Sequence, residues 1–343
     1  SEQWYAAAAN LEIYDVIVDA ILGTGITKPL RGFYSQVVSD INETEAFVLA
    51  VDIPSGMFSD SVERPPLTVW ADLTVTFTAP KIAQVLGEGI DAVGDLIIAP
   101  IGSPSDLMDK PEYCLNLLLP DSVASHCHPR AESSHKGTYG HVSVISGSRG
   151  KAGAAGLSSF SALRTGSGLV TAFVPDAVQE QVATLHSEVM TVGYPSTNQG
   201  TFSASAAERV LADFAGKDAV ALGPGLTTHP ETVEFVRSIV HHSGIPLIID
   251  ADGLNALAQE TSQLVNDHGA ALILTPHPGE FSRLTGQPVS EILQSPIESA
   301  RAFAANHSVW LVLKNFRTLV ATPTGEVFVS PPGNPGVAPA GLG

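Results

Sequence analysis

Polar side chains follow two apolar runs near the start of the chain. Asp19 lies within the run 16–20, and Asp52 and Ser55 come directly after the run 47–51. If both runs are strands of a parallel sheet, their carboxyl ends deliver these groups into the crevice where such sheets bind ligands. A carboxylate there can act as a general base or orient a ribose hydroxyl. Alternatively, Asp52 could do no more than cap a turn, and that alternative stays open.

A short glycine turn, Gly23-Thr24-Gly25, follows Asp19. Glycine lets the backbone approach a phosphate closely, so the turn is compatible with a ligand-binding loop. Turns of this kind are also common in purely structural positions. The turn therefore supports a binding site without establishing one.

The second half carries three similar signals after apolar runs. Gly223-Pro224-Gly225 leaves room where bulkier residues would block a ligand, and the stretch 250–255 contributes two acids and an amide. That stretch could hold a metal or a hydroxyl, although one acid could instead cap the next helix. His277 lies between two prolines, so either a ligand contact or a structural role fits it.

The end of the chain is rich in glycine. Lys314 to Thr318 is followed by 333–336, which reads Gly-Asn-Pro-Gly, and by Gly341-Leu342-Gly343. Such runs close backbone N–H groups around a phosphate at the N-terminus of a helix. Since no helix follows in the sequence, we interpret the chain as a fragment of a nucleotide-handling enzyme.

Composition excludes several classes of function. The chain has 343 residues, and its 17 Lys and Arg against 35 Asp and Glu give a net charge of −18, which argues against a nucleic-acid partner. No apolar run is long enough for a membrane span, and the chain opens without a secretory signal pattern. Two cysteines, Cys114 and Cys127, cannot form a disulfide framework, which fits a cytoplasmic protein. The triplet 126–128, His-Cys-His, lacks the further ligands of a zinc site.

The elements that must position these residues alternate along the chain. A helix is predicted at 33–41 and another at 152–165. Apolar strands alternating with helices predict parallel sheets covered on both faces. A polar, proline-bearing stretch at 103–136 marks a domain boundary, and we expect domains at 1–112 and 113–343. The predicted strands are 16–20, 47–51, 73–77, 96–99, 142–145, 169–174, 219–222, 246–249, 271–274 and 310–313.

The motifs, in their order and spacing, resemble the bifunctional NAD(P)H-hydrate repair enzymes. In these an NAD(P)HX epimerase domain is fused to an ADP- or ATP-dependent NAD(P)HX dehydratase domain. The resemblance covers nearly the whole chain. It implies a Rossmann-like α/β domain followed by a ribokinase-like α/β domain, each partial. The motifs that carry it are VDAILGTG (18–25), DIPSG (52–56), ADLTVTFTAPK (71–81), SHKGTYGHVSVISGSRGKAGAA (134–155), LGPGL (222–226), DADGLNAL (250–257), TPHPGE (275–280) and GNPGVAPAGLG (333–343).

For the first domain, the resemblance implies exchange of the R and S forms of NADHX and NADPHX. Asp19 and Ser55 match potassium-site positions, and Asp52 matches the acid that contacts the hydrated nicotinamide. The substrate-binding loop corresponds to Gly23, Thr24, Gly25, Ile26, Thr27, Lys28 and Pro29.

For the second domain, the resemblance implies phosphorylation of the substrate hydroxyl by ADP or ATP with Mg²⁺, followed by loss of phosphate. Ala154, Gly225 and His277 match substrate contacts. The adenine-nucleotide site corresponds to Lys314, Asn315, Phe316, Arg317, Thr318 and Gly343. Such chemistry needs phosphate positioning and anion stabilisation more than covalent catalysis.

Several departures from the family pattern shape the expectation for this chain. A Gly/Asn-rich loop before Ser1 and a catalytic Asp after Gly343 are expected in the parent protein, so we expect a fragment with neither activity. Asn315 and Phe316 replace small residues, and Pro339 removes an N–H donor from the anion loop. A small-molecule vitamin kinase and a non-catalytic scaffold are the alternatives. The family also implies a homo-oligomer.

Overall fold

The computed structural model of the chain describes residues 2–8, 10–108, 110, 113–125, 129–258, 260, 264 and 269–330. The chain divides into two compact units, residues 1–114 and 115–343. Each unit has its own sheet, so each has its own edge at which a ligand can bind.

The first unit contains a four-stranded parallel sheet in the order β1-β2-β3-β4. The predicted strands at 47–51 and 73–77 are confirmed at those bounds, and the other two differ by one residue at one end. The strands are β1 (Val16–Asp19), β2 (Phe47–Val51), β3 (Leu73–Phe77) and β4 (Asp95–Ala99), and the helices are α1 (Glu2–Ala8), α2 (Phe33–Asn42) and α3 (Ile82–Val85).

Helix α2 covers one face of this sheet. Its buried residues Val37, Val38 and Ile41 form a cluster with Val48 and Ala50 of β2. These positions follow helical spacing on α2 and a period of two on β2, as expected where a helix packs on a pleated surface. The apolar pattern of the sequence therefore determines which face of β2 is buried.

The opposite face of the sheet carries exposed apolar side chains. Val16 is 53% exposed, Val18 58%, Phe47 45% and Ile97 51%. The prediction of a sheet covered on both faces is therefore wrong for the described part of this unit. The connection from β2 to β3, residues 52–72, contains no α-helix.

The second unit contains a ten-stranded sheet in the order β5-β14-β13-β12-β11-β10-β9-β6-β7-β8. Its centre is parallel, as predicted. Its strands are β5 (Leu115–Leu117), β6 (His141–Ile145), β7 (Leu169–Pro175), β8 (Met190–Tyr194), β9 (Ala219–Leu222), β10 (Leu247–Ile249), β11 (Leu272–Leu274), β12 (Trp310–Leu313), β13 (Thr318–Ala321) and β14 (Val327–Ser330).

One side of this sheet departs from the predicted parallel series. Strand β13 is antiparallel to β12, and β14 is antiparallel to β13, while β5 pairs with β14 in parallel. The residues 314–317 form the connection between β12 and β13. Strands β5, β8, β13 and β14 were not predicted, because their short runs give no long apolar pattern.

Helices cover the second sheet and bury its central strands. Strand β7 is buried from Val170 to Pro175, so both of its faces are covered. The helices are α4 (Pro120–Ala124), α5 (Ala152–Arg164), α6 (Gln179–Ala183), α7 (Ala207–Ala212), α8 (Pro230–His242), α9 (Asp252–Leu257), α10 (Pro278–Thr285), α11 (Val289–Gln294) and α12 (Pro296–His307). Within the described residues, no helix has the length and apolar character needed to span a bilayer.

Candidate active sites

Asp19 and Ser55 meet at the carboxyl edge of the first sheet. Ser55 donates from its backbone N to Asp19 Oδ2 at 2.7 Å and from Oγ to Oδ1 at 2.6 Å. Both residues are buried, with Asp19 1% and Ser55 0% exposed. In the described part of the chain, no lysine or arginine pairs with Asp19. The structure therefore brings the two predicted potassium positions together around a buried carboxyl group.

The loop from Gly23 to Pro29 begins beside this pair. Leu22 donates its backbone N–H to Ser55 Oγ at 2.9 Å, and Ser59 Oγ donates to the Thr24 carbonyl at 3.2 Å. Beyond these ties, Gly23, Thr24, Gly25, Thr27, Lys28 and Pro29 are exposed and Ile26 is half-buried. A Cβ added at Gly23 or Gly25 would meet no atom within 4 Å. Open space around the backbone is what a substrate loop requires, and that role stays a prediction.

Asp52 faces the end of strand β3. Its Oδ1 accepts hydrogen bonds from Lys81 Nζ at 2.5 Å, from the Phe77 backbone N at 3.1 Å and from Thr76 Oγ1 at 3.2 Å. Burial favours the neutral acid, but these hydrogen bonds and the Lys81 charge outweigh it, so the pKa of Asp52 lies below its ordinary value. Asp52 is therefore a carboxylate anion at neutral pH.

The side chains of Asp52 and Ser55 contact different strands, although the sequence placed both in one crevice. Ser55 bonds to Asp19 of β1, whereas Asp52 bonds to the β3 side. Lys81 was not singled out from the sequence. It follows β3, the strand that neighbours β2, so the shared sheet edge was the signal that could have found it.

In the second unit, Gly225 and Ala154 lie in contact. Gly225 has φ +73, and a Cβ there would lie 2.9 Å from Ala154 Cβ. Ser148 Oγ donates to the Gly225 carbonyl at 2.7 Å, and the Gly147 N–H donates to the Pro224 carbonyl at 2.9 Å. Two predicted substrate contacts are thus held together where β6 and β9 end, because the missing side chain of Gly225 allows this close approach.

The acids after β10 are each paired with a lysine. Lys314 Nζ lies 2.8 Å from Asp250 Oδ1, and Lys151 Nζ lies 3.2 Å from Asp252 Oδ2. Asp252 also accepts from the Thr227 N–H at 2.9 Å. Across the described residues, no group of three or more His, Cys, Asp or Glu could hold a metal ion. The idea that 250–255 forms a metal site is therefore not supported there.

Of the predicted nucleotide positions, Lys314 to Arg317 form the turn between β12 and β13. Phe316 is 54% exposed, and Arg317 Cζ lies 5.0 Å from the centre of its ring. Arg317 Nε is buried and has no hydrogen-bond partner among the described residues, and burial lowers the pKa of its guanidinium. Asn315 is exposed and Thr318 begins β13. Gly343 and the rest of 331–343 lie outside the described residues.

His277 caps helix α10. Its Nδ1 accepts a hydrogen bond from the Gly279 N–H at 3.0 Å, and Glu280 returns one by accepting from the His277 N–H at 2.9 Å. The side chain remains 52% exposed. His277 thus has a structural role in this protein, and its predicted ligand contact stays a prediction.

Two family models match the chain. The model described as YjeF-related protein N-terminus matches residues 2–83. The model described as NAD(P)H-hydrate dehydratase matches residues 142–343, which is more than half of the chain. The chain belongs to the NAD(P)H-hydrate dehydratase family.

Relatives of this dehydratase family extend the match to the first unit. The chain is 40% identical to a bifunctional NAD(P)H-hydrate repair enzyme Nnr of Moorella thermoacetica, over 96% of this chain and 62% of the relative. The chain thus spans somewhat less than two thirds of that relative's length. The predicted resemblance to the bifunctional repair enzymes is confirmed.

Solved structures confirm the ribokinase-like fold of the second unit. An ADP/ATP-dependent NAD(P)H-hydrate dehydratase from Bacillus subtilis, co-crystallised with ATP/Mg²⁺, gives a TM-score of 0.55 at 30% identity, over 66% of this chain and 76% of that one. A ribokinase-like superfamily protein of Enterococcus faecalis gives a TM-score of 0.56 at 24% identity, over 66% of this chain and 75% of that one.

Proposed function

We propose that the chain itself repairs hydrated nicotinamide cofactors, which revises the expectation of a fragment with neither activity. The first unit would interconvert R- and S-NAD(P)HX, and the second would dehydrate the S form with ADP or ATP. The observation that carries the proposal is the pair of family matches in one chain, at 2–83 and 142–343, in the domain order of the named repair enzymes.

In the first unit, Asp52 supports the epimerase role. The hydrated carbon of NAD(P)HX bears a hydroxyl and is bonded to the ring nitrogen. Its configuration inverts if the hydroxyl takes a proton from the solvent and leaves as water, and a second water adds to the opposite face and gives up one proton. A fixed carboxylate stabilises the intermediate cation and can accept that proton, which then returns to the solvent. Asp52, ionised by its hydrogen bonds from Lys81 and Phe77, meets this need.

K⁺ fits the Asp19–Ser55 pair on chemical grounds. Asp19 is 1% exposed and has no lysine or arginine partner in the described part of the chain. A bound cation would neutralise a carboxylate that is otherwise buried at a high free-energy cost. Asp19 and Ser55 would hold the ion, which would in turn order the loop 23–29.

In the second unit, the turn after β12 supports nucleotide binding. Lys314 supplies a charge for phosphate, and exposed Phe316 offers a ring face for the adenine. Arg317 has a buried Nε that no described residue pairs with. Mg²⁺ usually binds through nucleotide phosphates with one or two carboxylates. Because Asp250 and Asp252 already pair with lysines, Mg²⁺ would enter with the nucleotide phosphates.

The test is recovery of NADH from S-NADHX with ADP or ATP and Mg²⁺, and conversion of R-NADHX in the presence of K⁺. Binding of each nucleotide and of NADPH is measured beside turnover, so that recognition and chemistry are scored separately. Phosphorylated substrate that accumulates without elimination would favour the vitamin-kinase alternative. Absence of both binding and turnover would favour the scaffold alternative. Sedimentation of the same sample tests the proposed homo-oligomer.

Matched variants test the proposed nucleotide site of the second unit. Lys314→Met should weaken ATP binding by about tenfold or more, since a charge-assisted hydrogen bond contributes about 1.5–3 kcal/mol. Lys217→Met in the same unit is the control, because Lys217 belongs to neither proposed site. Equal ATP affinity in the two variants would remove Lys314 from the nucleotide site.

A further inference from the structure

We propose that Lys81 is a positioning residue of the epimerase site, which holds Asp52 so that one carboxylate oxygen is fixed and the other faces the substrate. The inference rests on the proposed epimerase function and deepens it. No family assignment made above gives Lys81 a role.

The donors to Asp52 all reach the same oxygen. Lys81 Nζ, the Phe77 N–H and Thr76 Oγ1 donate to Oδ1. No described residue donates to Oδ2. A carboxylate held this way cannot rotate freely, and its second oxygen keeps its lone pairs for a ligand.

The Lys81 ammonium is itself held in place. It lies 2.8 Å from Thr76 Oγ1, 3.3 Å from the Phe77 carbonyl and 3.4 Å from the Ala79 carbonyl, in addition to its contact with Asp52. Its side chain is 17% exposed. An exposed surface pair would pay side-chain entropy for little gain, but this lysine is fixed by several acceptors. Its charge is therefore directed at Asp52.

Gln84 ties the backbones of the two residues together. Its Nε2 donates to the Asp52 carbonyl at 2.6 Å, and its Oε1 accepts from the Lys81 N–H at 2.8 Å. Gln84 is only 2% exposed. The main chain of both members of the ion pair is thus fixed by one buried amide.

The backbone is strained at Asp52 itself and at Thr78, which precedes Lys81. Asp52 has φ 67 and Thr78 has φ 64, in the left-handed region. Such residues persist where the surrounding contacts over-determine them, which is common at functional sites. Asp52 and Thr78 both lie where the contacts of Lys81 and Gln84 fix the backbone.

The experiment compares wild type with Lys81→Met, Lys81→Gln and Lys81→Arg, using NMR titration of Asp carboxyl carbons and kinetics on R-NADHX. The Asp52 signal is assigned with Asp52→Asn, and Lys217→Met is the control. We expect Lys81→Met and Lys81→Gln to raise the pKa of Asp52 and to lower kcat about 10²-fold, with a smaller change in KM. Lys81→Arg should restore the pKa and at least a tenth of the rate.

The two measurements separate the inference from the function on which it rests. An Asp52 pKa that is unchanged in both Lys81→Met and Lys81→Gln would overturn the positioning role, whatever the rates. A wild-type chain that does not convert R-NADHX would overturn the epimerase function, while the titration would still decide whether Lys81 controls Asp52. Thermal melting identifies a variant that fails to fold, and the remaining variant then decides.

Discussion

The two units position acids at the same edge of a parallel sheet by different physical means. In the first unit, Asp19 and Asp52 are fixed by short hydrogen bonds to buried or half-buried neighbours. In the second, Asp250 and Asp252 pair with partly exposed lysines, and glycines let the backbone pack closely around them. The first site therefore depends on particular side chains, whereas the second depends on backbone conformation and the absence of side chains.

The largest effect on stability should come from adding a side chain at Gly223, where there is no room for one. Its φ is +134, and a Cβ there would lie 1.8 Å from the Asp250 carbonyl oxygen. Gly223→Ala should lower the free energy of unfolding of the second unit by more than ~3 kcal/mol, measured by urea denaturation. At Gly244 a Cβ would meet no atom within 4 Å, so Gly244→Ala is the control. Equal midpoints for the two variants would show that close backbone contact does not maintain this edge.

Replacing an acid by alanine should have a smaller effect on stability, and the effect should differ between the two units. Asp19→Ala leaves the buried Ser55 N–H and hydroxyl without their carboxylate, which costs about 1–3 kcal/mol. Asp250→Ala breaks an ion pair whose side chains are 28% and 29% exposed, and should cost about 1 kcal/mol or less. Thermal unfolding of both variants measures the contrast. A larger loss for Asp250→Ala would reverse the comparison.

The smallest effect concerns pH. All 11 histidines lie in the second unit. Burial lowers the pKa of His141 and His307 in the folded state, and the Lys217 charge lowers that of His141 further. The unfolded chain binds more protons as pH falls below the ordinary histidine value of 6.5, so the second unit loses stability there. The Asp52 pKa is below 3.8, so that residue makes no difference in this range.

Unfolding midpoints at neutral and mildly acidic pH check this difference. The transition of the second unit should fall by about 2 °C, in keeping with an effect below 1 kcal/mol. The double variant His141→Gln, His307→Gln should show a smaller fall. If the first unit loses more stability than the second over the same pH interval, the attribution to these histidines is wrong.

Much of the fold could be predicted because buried parallel strands leave uniform apolar runs. Strands β2, β3, β9 and β12 were confirmed at their predicted bounds. Strands β13 and β14 were missed, although each has four residues and alternates buried with half-buried positions as the predicted β9 does. Likewise, the bare face of the first sheet could not be seen, since periodicity reports an apolar face but not what lies against it.

The sequence predicted individual residues of the site but not the contacts between them. Asp19 and Ser55 were found from their places at strand ends, and the structure joins them. Lys81 was missed because its link to Asp52 depends on the register of β2 against β3, which is not local in sequence. For the same reason, the pairing of Lys314 with Asp250 needed the order of β10, β11 and β12.

The strand order of the second sheet also affects how the nascent chain folds. Strand β5 pairs with β14, with Leu115 opposite Val327 and Leu117 opposite Val329. Strand β5, the first of the unit, therefore cannot form this pairing until β14, the last described strand, has left the ribosome. Until then the edge of β5 stays open, and long-range pairings of this kind fold slowly and expose the nascent chain to aggregation. Slower translation before residue 327 would therefore prolong the period in which the newly made protein needs a chaperone.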